Sequence, residues 1–346
     1  MFAHTRKLFA ALLVAALALG AAAAQDTHGV APLAPAQKVR VAYVPILKFA
    51  TLYVAADRGL FAQYGLDVDL ESVASGTEAI AFLEQGQIDV GGIAIVTSLW
   101  NGWNQGIDIR VFAPGGLEPF VDSPTKVLAR KDLYDSGAVT NAGDLRGRTV
   151  AFAGGPGSGG EYLTAKALEA YGLTIRDVEI VSMGNGDIPA AFENGSIDAA
   201  LLGSPYADQV EEAQTAVAIA TDLVPGLMTV AFVGSGKFLN ERSEVAERFA
   251  LALLDAARLM QGDDYYAPEN IAAYLHYVNS TEDAIVNGTP VLYDPNLTIP
   301  VEGLADVERV HRENGRTDYD TPIDLNVVIT TAFAERALAA AGTYQP

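Results

Sequence analysis

Residues 39–44 (VRVAYV) are rich in β-branched side chains and closed by Pro45, and 66–73 (LDVDLESV) alternate apolar with polar positions, the two-residue period of a strand. Between them, residues 52–64 (LYVAADRGLFAQY) place apolar side chains at helical spacing and stop at Gly65; residues 77–85 do the same and stop at Gly86. A third strand pattern covers 88–96 (IDVGGIAIV). Strands separated by helices predict β-α-β units and a mostly parallel sheet.

The plan then recurs. Tyr64-Gly65-Leu66 leads to Phe82, Gly86 and the pair Ile88-Asp89; Tyr171-Gly172-Leu173 leads to Phe192, Gly195 and the pair Ile197-Asp198. Each glycine stands where a helix needs a left-handed stop, and each Ile-Asp opens a strand. The shared order predicts two similar α/β lobes. The second is expected over 125–236, entered through 117–124 (LEPFVDSP) and left through 230–236 (VAFVGSG); the first takes 38–124 together with 237–346. Two crossings of the chain make a hinge candidate. From Glu244 onward the pattern is mainly helical, with helices expected over 244–260, 268–278 and 327–341.

Composition narrows the class. With 50% hydrophobic residues in 346 there is ample material for two cores, which excludes a disordered chain. Asp and Glu total 43 against 22 Lys and Arg, a net charge of −21 that is the wrong sign for nucleic acid. No cysteine is present, which excludes disulfides, thiolate metal sites, a cysteine nucleophile and a lipid-modified cysteine. Arg6 and Lys7 precede an apolar run over 8–19, then Gly20 and four alanines. That reads as a signal peptide over 1–24, cleaved near Ala24, with a run too short to span a bilayer. The mature chain is therefore expected in the periplasm, not as a lipoprotein, with a flexible lead over 25–37 containing Pro32 and Pro35.

Open α/β sheets bind ligands beyond the carboxyl ends of their strands, so the loops to inspect are 45–51, 74–77 and 94–98 in the first lobe and 154–160, 183–187 and 203–206 in the second. Facing each other across a hinge, they would line a closable cleft. Ser75 with Glu78 and Ser158 with Glu161 fit S-x-x-E ahead of a helix, a capping box that satisfies the helix's own amides. The same helix ends can also offer amides to an anionic or carbonyl group of a ligand, and both readings hold at once. Gly155, Gly157 and Gly160 fit G-x-G-x-x-G, but no acidic residue ends the strand 178–182, which disfavours a dinucleotide. Lys48 is the one cation in these loops, and Phe49 and Tyr206 lie within loops rather than periodic segments. The absence of arginine there weakens a nitrate or sulfonate reading, and the loop aromatics favour a neutral or weakly anionic ring compound. The four histidines are scattered, and no nucleophile elbow or P-loop occurs, so no metal, cofactor or catalytic residue is expected.

The segments LYVAADRGLFAQYGLDVDL, ASGTEAIAFLEQGQIDVGG and the 106–110 stretch, followed by DLRGRTVAF, KALEAYGL, DVEIV and GSIDAALLGSPYADQV, are ordered as in a known family. The chain resembles the NMT1-like periplasmic substrate-binding proteins of ABC importers for nitrate, sulfonates, taurine and thiamine-pyrimidine precursors, over about 39–247. The resemblance implies a two-lobed type II periplasmic binding protein, expected as a monomer, that closes on one small molecule and delivers it to a membrane permease with its ATPase. By position, the ligand would meet Lys48, Phe49, Ala50, Ser75, Gly76, Thr77, Thr97 and Ser98 from lobe I, and Ser158, Gly159 and Tyr206 from lobe II. Lys48 stands where many relatives have an acidic or polar residue, which speaks against a cationic ligand. A pyrimidine synthase in the superfamily relies on a cysteine-rich iron motif, so that activity is not implied here. An enzyme on the same lobes, or a sensory subunit, are the alternatives.

Overall fold

The computed structural model describes residues 27–204 and 206–346; the signal-peptide expectation for 1–24 lies outside the described residues. These form strands β1 (Gln37–Tyr43), β2 (Leu66–Ser72), β3 (Val90–Ala94), β4 (Ile109–Pro114), β5 (Lys126–Arg130), β6 (Thr149–Phe152), β7 (Glu179–Ser182), β8 (Ala199–Leu202), β9 (Ala216–Ala220) and β10 (Val230–Ser235). They build two five-stranded sheets, in the orders β2-β1-β3-β10-β4 and β7-β6-β8-β5-β9. In each sheet the strand arriving from the other lobe, β10 or β5, runs antiparallel to both its neighbours, while the other pairs are parallel. Helices flank both sheets, so the fold is α/β and two-lobed as expected; each sheet is mixed, with two parallel and two antiparallel pairs, because the strand from the other lobe inserts against the direction of the rest.

The internal repeat extends to hydrogen bonds. Gly65 and Gly172 have φ of 74° and 69°, and Gly86 and Gly195 have 67° and 73°, the left-handed stops that the pattern required. Asp89 Oδ2 accepts the Arg40 amide at 2.9 Å, and Asp198 Oδ2 accepts the Thr149 amide at 3.2 Å. The two Ile-Asp pairs thus pin the start of β3 to β1 and the start of β8 to β6.

Several boundaries differ from the expectation. Residues 230–235 belong to the first sheet as β10, so the return crossing is 221–229 and the second lobe's sheet ends at β9. The apolar run VAFVGS is buried between β3 and β4, a central strand rather than a linker. The helix expected over 52–64 is two, Ala50–Asp57 and Leu60–Gln63, broken where Gly59 turns left-handed at φ 71°. That expected over 327–341 is Leu325–Val328 and Ala332–Ala341, because Ile329 bridges Val111 and the Thr330 amide donates to the Val111 carbonyl at 2.8 Å. The lead is held: the Leu33 amide donates to Tyr64 O at 3.1 Å, and Val30 and Leu33 pack on the first lobe's core. Gly65 has no room for a Cβ beside the Leu33 backbone, which is how the lead comes so close.

The crossings run side by side. Leu117 pairs antiparallel with Met228, the Glu118 amide donates to Leu227 O and the Gly226 amide to Glu118 O, both at 2.9 Å. Glu118, 2% exposed, places its carboxylate among three donors. Lys48 Nζ, from the loop after β1, forms an ion pair with Oε1; Thr229 Oγ1 lies 3.2 Å from Oε1, and Ser123 Oγ lies 3.3 Å from Oε2. Lys48 Nζ also donates to Thr229 Oγ1 at 3.0 Å. Removing one partner of a buried pair leaves an uncompensated charge, at a cost of about 3–5 kcal/mol. Lys48→Met should therefore lower unfolding free energy in urea by about that amount, and Lys48→Met combined with Glu118→Gln should recover at least half of it; additive losses would show that the pair is not coupled.

Candidate functional site

The six loops that follow β1, β2 and β3 in the first lobe and β6, β7 and β8 in the second converge on one cleft, of about 920 Å³, whose floor is Thr229 and Pro124–Thr125 of the crossings. Lys48, Ser75, Gly76, Thr77, Thr97, Ser98, Ser158, Gly159 and Tyr206 line it. Phe49 and Ala50 do not. Phe49 is fully buried under Gly92, edge-to-face with Phe232 at 5.4 Å, and Ala50 is buried at the start of its helix. Both serve lobe I packing, because the loop after β1 turns inward there.

The two S-x-x-E sequences are caps. Ser75 Oγ accepts the Glu78 amide at 3.3 Å; Ser158 Oγ accepts the Glu161 amide at 3.1 Å and donates to the Ala153 carbonyl at 3.1 Å. Both hydrogen-bonding directions of the Ser158 hydroxyl are thus occupied, whereas the Gly159 and Gly160 amides, in the first turn of that helix, have no carbonyl ahead of them within it. Thr77 and Ser98 set their hydroxyls 3.1 Å apart, and the Tyr206 hydroxyl has no hydrogen-bond partner among the described residues.

One flank of the cleft is already shut. The amide and the hydroxyl of Thr97, from lobe I, both reach the Gly157 carbonyl of lobe II at 2.9 Å. Behind this contact runs a helix that the pattern reading did not assign, Val301–Glu313, although Leu304, Val307, Val310 and His311 share one helical face. It straps the lobes together. Tyr162 OH donates to Asp306 Oδ2 at 2.8 Å, and Trp100 Nε1 donates to His311 Nδ1 at 3.1 Å. Gly315, at φ 70°, turns the chain back and delivers Arg316 to the cleft wall, where its Nε meets both Glu161 oxygens at 2.9 and 3.0 Å. Other wall residues absent from the expected set are Asn185, Tyr277, Asn279 and Thr289. Asn185 lies in a loop already singled out, and the polar stretch 279–289 interrupts the helical pattern, so both carried a signal. Arg316 carried only the glycine stop before it.

His311 has no access to solvent. An indole N–H can only donate, so Nδ1 is the acceptor and the proton is on Nε2, 3.4 Å from the Ser158 carbonyl. Burial pushes its pKa down to about 4, with Arg316 adding in the same direction against the opposing pulls of Ser158 and Glu161. The folded state resists protonation that the unfolded chain accepts near pH 6.5, so stability is full above that pH and lost as the pH falls toward 4. The loss should approach 3 kcal/mol at most, and His311→Gln should flatten the slope of unfolding free energy between pH 6.5 and 4; an unchanged slope would assign it to other groups.

Among the described residues no three His, Cys, Asp or Glu side chains gather to hold a metal ion, and no helix is long and apolar enough to cross a membrane. A Brucella abortus protein that carries the provisional name of binding protein is 24% identical over 213 residues, 59% of this chain and 60% of that one, so the chain matches less than two thirds of that relative's length. The 4-amino-5-hydroxymethyl-2-methylpyrimidine phosphate synthase of Aspergillus parasiticus is 24% identical over 255 residues, 70% of this chain and 69% of that one. Among solved structures, the ligand-binding component of an ABC-type import system from Staphylococcus aureus, with zinc bound, superposes with a TM-score of 0.70 at 16% identity, over 87% of this chain and 99% of that one. Its two lobes are the fold described above. The sequence profile of the NMT1-like family matches residues 33–276, well over half of the sequence, and the chain belongs to that family.

Proposed function

We propose that the chain is the extracytoplasmic solute-binding subunit of an ABC importer. The observation that carries this reading is the cleft itself: six post-strand loops from two lobes enclose one solute-sized space above a two-segment crossing. The open side lies between Tyr206 of lobe II and the segment Asn279–Thr281, which face each other across a smaller recess of about 240 Å³. A solute enters there and meets Thr77, Ser98, Tyr206 and the Gly159 amide. Closure removes water from these donors and strengthens each bond. The closed monomer, freed in the periplasm from residues 1–24, then docks on its permease and ATPase.

An enzyme on the same lobes is the second reading, favoured by the name of the Aspergillus relative. Against it stands the chemistry of this chain. It has no cysteine, His311 behind the cleft is held neutral with both ring nitrogens engaged, and the exposed His276 is turned to Asp57. A sensory subunit would use the same cleft and differ only in its docking partner.

A thermal-shift screen of the chain from residue 25 onward separates these readings. A solute at about 100 times its Kd should stabilise the fold by roughly 2.7 kcal/mol without being consumed. Turnover of the stabilising compound would favour the enzyme. Tyr206→Ala should weaken that binding at least ~10-fold and cost about 1 kcal/mol of unliganded stability, because the partly buried ring also packs on the edge of the lobe II core. Ser158→Ala should cost about 1 kcal/mol of stability through the lost cap. Unaltered affinity in Tyr206→Ala would remove Tyr206 from the site.

A further inference from the structure

Two charged side chains line the cleft, and both are cations: Lys48 and Arg316. Each has a buried carboxylate directly behind it. Glu118, 2% exposed, takes Lys48; Glu161, with no exposure, takes Arg316 through Nε and accepts Asn314 Nδ2 at 3.2 Å. The four charges sum to zero. A bound anion would leave one negative charge uncompensated in a desolvated space, inside a protein whose net charge of −21 already repels it. A bound cation would face two ammonium or guanidinium groups with both carboxylates already engaged.

The remaining hydrogen-bonding capacity is specific. Among the described residues the Nη1 and Nη2 groups of Arg316 have no partner, because only Nε turns to Glu161. They are donors without a protein acceptor, and the same cleft also presents the hydroxyl of Tyr206 and the amide side chains of Asn185 and Asn279. We propose that the cleft selects an electroneutral solute bearing carbonyl or ring-nitrogen acceptors, and that Glu118 and Glu161 act as built-in counter-ions that exclude simple anions. This rests on the solute-binding reading and names its ligand class.

The test is calorimetric titration of nitrate, ethanesulfonate and benzoate into wild type, Glu161→Gln and Glu118→Gln. The expected result is no binding by wild type in the millimolar range, and at least a ~10-fold gain for one or more of these anions in Glu161→Gln, where the Arg316 charge is freed. Submillimolar binding of any of the three to wild type overturns the proposal. So does a Glu161→Gln protein with native circular dichroism and no gain. If Glu161→Gln fails to fold, Glu118→Gln carries the same expectation through Lys48. A second measurement needs no variant: small molecules released by denaturing the protein purified from its own periplasm are identified by mass. A ligand without carboxylate, sulfonate or phosphate supports the proposal, and an acidic ligand overturns it. Finding no released molecule, and no stabilisation by a metabolite extract, would instead count against the solute-binding reading beneath it.

Discussion

Glu118 is ionisable and almost fully enclosed, and it stands in the short stretch where the chain first leaves lobe I. A carboxylate so placed has to find its donors nearby. They come from three separate places: Lys48 from the loop after β1, Ser123 from farther along the same crossing, and Thr229 from the return crossing. Because one side chain satisfies itself from all three, neither crossing can slide past the other or lift from lobe I without stranding the charge. The same carboxylate neutralises the lysine on the cleft floor.

The rest of the cleft follows from where it is and is not tied. One flank is held by Thr97 on Gly157 and by the strap helix, whose buried His311 touches Trp100 of lobe I and the Ser158 carbonyl of lobe II. The Arg316–Glu161 pair lies on the same flank, with Arg316 on the cleft wall. On the other side, Tyr206 faces Asn279–Thr281 across a recess of about 240 Å³.

The lobes were legible because the repeat is written in residues with backbone consequences: left-handed glycines at 65, 86, 172 and 195, and aspartates at 89 and 198 that pin strand to strand. The loops that line the cleft were legible for a related reason, since a parallel sheet sends its post-strand loops to one edge. What the pattern concealed was tertiary. β10 reads as a linker because it follows a lobe, yet it inserts centrally into the sheet of the other. Phe49 reads as a loop aromatic, yet the loop turns it under Gly92. Gly59 broke a helix that periodicity alone carried through. The ion pairs were invisible for a plainer reason: Lys48 and Glu118, or Glu161 and Arg316, stand too far apart in sequence for any local rule to join them.

The family profile ends at residue 276, and that boundary has a physical meaning. It covers both sheets and all six loops, which set the shape of the cleft and its supply of backbone amides and hydroxyls. Beyond it lie Tyr277, Asn279, Thr289 and Arg316, which complete the wall and bring the second cation. Shape is therefore what this chain shares with its relatives, while much of the charge and amide chemistry facing the ligand comes from the part that the profile does not reach. On the proposed reading, the residues that decide between an anion and a neutral molecule are Glu118 and Glu161, neither of which lines the cleft. They act through the cations in front of them, so the specificity of this pocket is set one layer behind its surface.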